Sequence, residues 1–191
     1  MIEGAQTWPG ERIETGTDAD EEADLVARAK EDLAAFAPLY GRYLPAVYRY
    51  CYTRLGDREA AEDATSQVFT RALAALPGHR GGSFGAWLFA IAHNVVANLH
   101  RGPRDQPLPP DHDRVDPPPA PDAALLIAEE GRELHAMLAQ LPPDQRRVIE
   151  LRLAGLNGPE IAWVLGRSQG SVRVLQHRAI VRLRMLLIEE S

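Results

Sequence analysis

The segment over residues 157–184 constrains the fold most, because it reads as a short helix, a tight turn and a second, strongly basic helix. Asn157 is a favourable N-cap residue, and Glu160 follows three positions later, as in a capping box. Gly166 can end this short helix, and Ser168 can cap the next one. The pattern predicts a helix-turn-helix over these residues.

The second of these helices has an apolar face and a basic face at helical spacing. The apolar face holds Val172, Leu175, Ala179, Leu183 and Leu186. The opposite face holds Arg173, Val174, His177, Arg178 and Arg184. From Arg167 to Arg184 the chain has five arginines and no carboxylate, which suits a DNA major groove, where phosphates attract positive charge and arginine pairs with guanine. The alternative is a basic amphipathic helix that serves solubility or packs on an acidic partner.

The acidic charge of the chain is unevenly distributed. The 191 residues carry a formal net charge of −6, and residues 1–24 hold eight acidic residues and one arginine, so the remainder is nearly neutral. Because residues 1–24 are polar and acidic, we expect them to form a disordered tail. The overall acidity therefore does not argue against nucleic-acid binding by the rest of the chain.

Residues 25–101 predict a helical domain, because they show almost none of the two-residue alternation that is typical of strands. Asp57 is expected to cap a helix that runs to Leu76, and Ser83 to cap a helix over Phe84–Arg101. The pair Leu44-Pro45 predicts a break between two earlier helices.

Residues 102–121 separate this domain from a second one over residues 122–191. They contain eight prolines, four aspartates and two arginines, a composition typical of an extended, semi-rigid linker. Helix is expected to resume at Asp122 and again at Pro142-Pro143. The predicted fold class is therefore all-α, with two helical domains joined by an acidic, proline-rich linker.

The residue pattern indicates no catalytic, metal or cofactor site. The single cysteine, Cys51, lies among apolar and aromatic residues and is expected to be buried, and the six histidines lack metal-ligand spacing. No Ser/His/Asp order, paired catalytic carboxylates or phosphate-binding loop is found, so we expect no enzymatic activity and no cofactor. No stretch offers the ~20 apolar residues of a membrane span, and no signal peptide is found. These patterns predict a cytoplasmic protein without membrane insertion.

Two stretches of the chain resemble one known family. The first resembles region 2 of bacterial sigma factors of the extracytoplasmic-function (ECF) group and reads FAPLYGRYLPAVYRYCYTRLGDREAAEDATSQVFTRALAAL, then GSFGAWLFAIAHNVVANLHR. The second resembles region 4 of the same group and reads LPPDQRRVIELRLAGLNGPEIAWVLGRSQGSVRVLQHRA. The order of the two stretches and the linker between them also match the arrangement of that family. The chain thus resembles a sigma-70 family factor, which gives RNA polymerase its promoter specificity.

The resemblance implies that the N-terminal domain captures bases of the −10 promoter element and holds the strands apart. Paired glycines allow the backbone to approach a base closely, and Asn94 matches a base-contacting asparagine of the family. His79 and Arg80 offer cationic donors near phosphate. The residues so implied in −10 binding are His79, Arg80, Gly81, Gly82, Ser83 and Asn94.

The resemblance also implies that the helix Arg58–Leu76 binds the clamp helices of core RNA polymerase. Family members usually read aspartate, two residues, then Gln-Glu-Val-Phe, whereas Ser66 and Gln67 replace the Gln-Glu pair here, so one carboxylate is missing. The implied polymerase-binding residues are Glu62, Asp63, Ser66, Gln67 and Phe69. An ordinary solvated helix face is the alternative for Glu62 and Asp63.

In the C-terminal domain, the resemblance places −35 binding on the basic face described above. The implied contact residues are Ser171, Arg173, Val174, His177 and Arg178. Val174 replaces a polar residue that many relatives carry, and it can touch a thymine methyl group. The stretch LPPDQRRVIELRL, with Arg146, Arg147 and Arg152, offers phosphate contacts and a surface for the polymerase β-flap.

The partners implied by the resemblance are core RNA polymerase, promoter DNA and an anti-sigma factor. Two other functions compete with this interpretation. One is a free-standing helix-turn-helix regulator, whose N-terminal half would dimerise or bind a ligand. The other is a nucleic-acid enzyme with a helical catalytic domain, which the missing metal or acid-base cluster disfavours.

Overall fold

In the computed structural model of the chain, which describes residues 18–100, 132 and 134–189, the secondary structure is helical throughout. The N-terminal unit (residues 18–100) contains α1 (Asp18–Glu31), α2 (Ala37–Leu55), α3 (Arg58–Ala75) and α4 (Phe84–His100), with 3₁₀ turns at Leu33–Phe36 and Leu76–Gly78. The C-terminal unit (residues 134–189) contains a helical stretch over residues 134–139, then α5 (Pro143–Leu153), α6 (Gly158–Leu165) and α7 (Gln169–Glu189). The prediction of an all-α fold with two helical units is confirmed.

Capping residues set the helix boundaries of the N-terminal unit as predicted. The Asp57 carboxylate accepts a hydrogen bond from the Ala60 N–H at 2.8 Å at the start of α3. The Ser83 hydroxyl accepts one from the Ala86 N–H at 3.1 Å at the start of α4. Helix α2 ends at Gly56, whose φ of 70° is a left-handed value that favours glycine.

Aromatic side chains form the centre of the N-terminal unit. The ring of Phe36 meets Phe69 and Phe84 edge-on, with centroids 6.4 and 6.3 Å away. Cys51 is fully buried in the same core, as predicted, and burial raises the pKa of its thiol to about 12. Helices α2, α3 and α4 pack around these side chains.

The predicted break at Leu44-Pro45 is wrong, because Pro45 lies inside the continuous helix α2. A proline in a helix removes one backbone hydrogen bond, here the bond to the carbonyl of Gly41. Pro45 and Gly41 are both exposed, so water can replace the missing donor. Leu39 and Val47, both fully buried, hold the helix against the core on either side of the proline.

The predicted disordered tail is shorter than expected, because residues 18–24 form the first half of α1. Val26 in the second half is buried against the core, and Tyr43 of α2 donates a hydrogen bond to Glu22. Acidic residues at the start of a helix interact favourably with its dipole. The acidic composition of this segment therefore favours its helical conformation.

Helix α5 begins at Pro143, as the two consecutive prolines predict. The helix start predicted at Asp122, the linker over residues 102–121 and residues 1–17 of the predicted tail lie outside the described residues.

The predicted helix-turn-helix is formed by α6 and α7. Asn157 accepts from the Glu160 N–H at 3.0 Å while the Glu160 carboxylate accepts from the Asn157 N–H at 2.7 Å, which completes the predicted capping box. Gly166 ends α6 with a φ of 61°. The Ser168 hydroxyl then accepts from the Ser171 N–H at 3.2 Å at the start of α7.

The two units pack against each other. Helix α4 contacts α6, and α2 contacts α5. One continuous apolar core crosses this boundary, from Val47 and Phe89 on one side to Leu151 and Ile161 on the other. The packing brings the loop before α4 next to the helix-turn-helix.

Candidate nucleic-acid interface

Helix α7 presents the predicted basic face to the outside. Val172 and Ala179 face the core and are 1% and 0% exposed. Four of the five residues implied in −35 binding are exposed, namely Arg173, Val174, His177 and Arg178, whereas Ser171 in the first turn is half-buried. The exposed fraction of Val174 is 49%, so this aliphatic side chain projects among cationic neighbours.

Asp144, at the start of α5, holds the turn between α6 and α7. Its carboxylate accepts from Arg167 at 2.8 Å and from Arg147 at 3.3 Å. Arg167 lies in that turn, directly before the Ser168 cap. Sequence reasoning missed this contact, because Asp144 and Arg167 are 23 positions apart.

The other arginines of α5 also have partners within the chain. Arg146 donates to the carbonyl of Ala139 at 2.8 Å, and Arg152 donates to the carbonyl of Leu156 at 3.0 Å. A second nitrogen of Arg152 lies 3.5 Å from the side-chain oxygen of Gln176 on α7. These bonds order both guanidinium groups, and they place that of Arg152 beside α7.

The loop before α4 exposes three of the residues predicted to bind the −10 element: Arg80, Gly81 and Gly82. Gly81 and Gly82 have φ values of 89° and 87°, in the left-handed region that favours glycine. A Cβ added at Gly81 would meet no atom within 4 Å. The positive φ therefore explains why residue 81 is a glycine, and the open space around it leaves room for a ligand.

His79 is not the exposed cationic donor that the sequence predicted. Its side chain is 7% exposed, and its ring centroid lies 5.0 Å from that of Trp87 and 6.0 Å from that of Phe84. Burial lowers the pKa of His79, and the nearby Lys30 ammonium lowers it further. Lys30 also donates a hydrogen bond to the His79 carbonyl. His79 is therefore a neutral anchor for the loop at pH 7.

Ser83 connects the loop to both units. Its hydroxyl caps α4 and also donates to the Glu160 carboxylate at 2.5 Å. Glu160 is the residue that closes the capping box of α6. One hydrogen bond thus links the cap of α4 to the cap of α6. The Ser83 hydroxyl is therefore already engaged within the chain.

Helix α4 exposes Asn94 while its apolar residues face the core. Phe89 and Val95 are 0% and 1% exposed, and Asn94 lies on the exposed side. An exposed amide can both donate and accept at one base edge. Asn94 lies about 15 Å along the helix from the glycine loop, so the loop and Asn94 are too far apart to grip the same base.

Helix α3 exposes most of the residues predicted to bind polymerase. Glu62, Asp63 and Ser66 are exposed, and Gln67 is half-buried. Glu62 accepts from Arg58 at 2.8 Å on the same helix surface. These side chains form a polar strip along the outer face of α3.

Phe69, which the resemblance also implies in polymerase binding, does not belong to this exposed strip. Its ring is 4% exposed and lies 4.6 Å from that of Tyr40 and 6.4 Å from that of Phe36, measured between centroids. Phe69 shares the buried face of α3 with Thr65 and Ala72, four residues before and three residues after it. Its role is to fix α3 to the core.

No group of three or more His, Cys, Asp or Glu side chains within the described ranges lies close enough to hold a metal ion. None of the helices in that part of the chain has the length and apolar character needed to cross a membrane.

Two family profiles match the chain. The profile described as sigma-70 region 2 matches residues 39–104, and the profile described as sigma-70 region 4 matches residues 131–183. The first match contains α3, the glycine loop and Asn94. The second contains α5, α6 and most of α7.

Two curated relatives are ECF RNA polymerase sigma factors of Streptomyces. BldN of Streptomyces coelicolor is 35% identical over 175 residues, a match that covers 88% of this chain and 66% of BldN. ShbA of Streptomyces griseus subsp. griseus is 39% identical over 177 residues, a match that covers 85% of this chain and 93% of ShbA.

One solved structure shares the arrangement of the helices. The structure of CnrH in complex with the cytosolic domain of CnrY matches with a TM-score of 0.70 and 29% identity, covering 91% of this chain and 100% of the compared chain. The match extends over both helical units.

Proposed function

Because the chain belongs to the ECF RNA polymerase sigma factors and directs transcription initiation, we propose that its two units divide the promoter between them. The C-terminal unit reads the −35 element through α7. The N-terminal unit captures the −10 strand through the glycine loop and α4. The observation that carries this proposal is the exposed basic face of α7. No carboxylate occurs between Arg167 and Arg184.

At the −35 element, the four exposed residues of α7 enter the major groove. Arg173 and Arg178 supply the charge and the paired donors that suit guanine. Val174 reaches a thymine methyl group, since an exposed aliphatic side chain gains most from an apolar contact. His177 lies between them, and Ser171 and Arg167 approach phosphate near the start of α7.

At the −10 element, strand opening requires an unstacking free energy of a few kcal/mol, which contacts to the extruded base must offset. Gly81 and Gly82 let the backbone approach that base, and Arg80 supplies positive charge to the strand. Asn94 reads a second position, about 15 Å along α4. His79 serves this site only by anchoring the loop to Trp87.

The polar strip of α3 is the surface that we assign to the polymerase clamp helices, through Glu62, Asp63, Ser66 and Gln67. Phe69 supports it from beneath. The carboxylate missing at Ser66-Gln67 weakens this contact little, because exposed ion pairs contribute about 0–1 kcal/mol. We assign the surface of α5 to the β-flap.

We further propose that the chain supplies promoter recognition and strand opening while polymerase performs the chemistry. We assign the chain no catalytic residue, metal or cofactor. Its place of action is the cytoplasm, where polymerase meets promoter DNA. An anti-sigma factor is proposed as a third partner, supported by the complex of the similar protein CnrH with the cytosolic domain of CnrY.

Run-off transcription with core RNA polymerase on a promoter library tests this function. We expect specific transcripts only when the chain and core polymerase are both present, from templates that share a −35 and a −10 sequence. A free-standing regulator predicts tight duplex binding without polymerase and no new initiation. That result would overturn the proposal.

A further inference from the structure

A carboxylate on α5 joins two arginines beside the start of α7. Oδ2 of Asp144 accepts from Arg167 at 2.8 Å, and Oδ1 of Asp144 accepts from Arg147 at 3.3 Å. The two oxygens therefore bind different guanidinium groups. The exposed fractions of the three side chains lie between 38% and 43%, so the charged groups reach the surface while their positions are fixed.

The backbone of Arg167 is fixed as well. Its N–H donates to the carbonyl of Ala162 at 2.9 Å, across the glycine that ends α6. Ser168 caps α7 at the next position. Both the backbone and the guanidinium group of Arg167 thus have a defined place relative to α7. A group that is ordered before binding loses less conformational entropy when it binds.

The surroundings of Arg167 favour an anion. Residues 166–170, which include the first residues of α7, are exposed, and the N-terminal end of a long helix carries partial positive charge. A guanidinium group has five N–H donors, and Asp144 binds one nitrogen of Arg167. The exposed donors that remain suit a phosphate oxygen, which arginine binds through charge-assisted hydrogen bonds.

Charge alone does not explain Asp144. The other carboxylates among residues 134–189 are that of Glu150, which is buried, that of Glu160, which closes the capping box, and that of Glu189, which ends α7. A carboxylate beside the basic face repels DNA phosphate, and an exposed ion pair adds little stability. The benefit that remains is orientation of Arg167. Because Arg147 compensates the charge of Asp144, the three groups together stay cationic.

We propose that Asp144 is a positioning residue, which holds the Arg167 guanidinium in place to bind one backbone phosphate at the edge of the −35 element. Arg147 orients Asp144 and compensates its charge. This inference rests on the proposed function, because it takes the −35 duplex as the ligand of α7. A phosphate contact carries no base identity, but it fixes the register of a reading helix in the groove.

Duplexes with one neutral methylphosphonate in place of a phosphate test this role. Holoenzyme made with the full chain binds the promoter selected in the transcription assay, with the replacement moved along the −35 backbone. The measured quantity is the ratio of the affinities for the charged and the neutral duplex at each position. For the parent this ratio should be about tenfold at each contacted phosphate, as expected for one charge-assisted hydrogen bond. Arg167→Ala should bring it close to one at a single phosphate, which identifies the Arg167 contact.

The Asp144→Ala variant separates positioning from charge. When Arg167 loses its holder, the affinity ratio at the Arg167 phosphate should fall, and the ratios at the other phosphates should stay unchanged. If Asp144 acted through its charge alone, its removal would instead raise the ratio at that phosphate. If Asp144 only stabilised the turn, all duplexes would bind more weakly and no ratio would change at one phosphate alone. Either of these two results would overturn the proposal, and so would an Arg167→Ala variant with the ratios of the parent.

Glu21→Ala is the matched control, because it breaks the exposed Arg42–Glu21 pair on the N-terminal unit. It should show the ratios of the parent at every position. Each ratio compares two duplexes with the same holoenzyme, so differences in affinity for core polymerase cancel.

The two proposals can fail separately. If the chain and core polymerase select no promoter, the proposed function fails, and the same scan is made on the duplex that the free chain selects. The position-specific losses for Arg167→Ala and Asp144→Ala are then still expected. A chain that selects no duplex in either setting would overturn both proposals.

Discussion

At single residues, burial assigns roles that residue type alone does not. Histidine beside arginine in a glycine-rich loop suggests a cationic pair, but only Arg80 is exposed, whereas His79 packs on Trp87. Phe69 follows a polar strip in sequence, yet its helical position turns it toward Phe36. Both outcomes depend on neighbours brought together by the fold, so the sequence could indicate the loop and the helix but not these two orientations.

The stability of the N-terminal unit should depend on pH through His79. Because burial and Lys30 hold the pKa of His79 below 6.5, the unfolded chain binds the proton more readily than the folded chain. The contribution of His79 is therefore fully present above pH 6.5 and is lost as the pH falls through the lowered pKa. His79→Gln should flatten the pH dependence of the free energy of unfolding below pH 6.5. Urea unfolding at a series of pH values measures this pH dependence. If the unfolding free energies of the parent and of His79→Gln changed in parallel with pH, the role of His79 as a buried anchor would be contradicted.

The affinity of holoenzyme for its promoter should depend on Arg173. Arg173→Ala should weaken binding by about 1–3 kcal/mol and relax the preference at one −35 base pair, if the side chain pairs with guanine. Arg182→Ala is the matched control, because Arg182 is exposed on the same helix but lies outside the predicted reading face. We expect the control to change affinity little and evenly across sequences. Equal losses for both variants, with base preference intact, would show that α7 contributes charge alone.

At the scale of single helices, the sequence predicts the boundaries well because the signals are local. The caps at Asp57, Ser83 and Asn157 each lie within three residues of the N–H group that they satisfy. The break wrongly predicted at Pro45 is also a local signal, but packing of α2 on both sides of the proline overrides it. Local chemistry therefore predicts the ends of the helices, and tertiary packing decides whether an interior proline ends one.

The helix-turn-helix should lose stability when its capping box is broken. Asn157→Ala removes the oxygen that accepts from the Glu160 N–H at 3.0 Å, so the free energy of unfolding should fall by about 0.5–2 kcal/mol. Asn157→Asp keeps an acceptor at that position and should retain most of the stability. Urea denaturation followed by circular dichroism compares the three proteins. If Asn157→Ala were as stable as the parent, the capping role of Asn157 would be contradicted.

For the whole molecule, the arrangement of the two units was beyond the reach of sequence patterns. The contacts that join them connect residues 96 and 77 positions apart, Arg54 with Glu150 and Ser83 with Glu160. In the sequence, each of these residues reads as an ordinary polar position on a helix or at its cap. The helical patterns on either side of the proline-rich stretch predicted the two helical units, and only the folded chain shows which side chains meet between them.

Promoter selection by reconstituted holoenzyme tests the division of the promoter most directly. Templates randomised across both elements are transcribed with the parent chain, Arg173→Ala, Asn94→Ala and the control Asn98→Ala, a neighbour on α4 to which no role is assigned. We expect Arg173→Ala to relax the sequence preference only in the upstream element and Asn94→Ala only in the downstream element, while Asn98→Ala selects the parent sequences. Altered preference in the same element for both variants, or in neither element, would contradict the claim that the two units read different parts of the promoter.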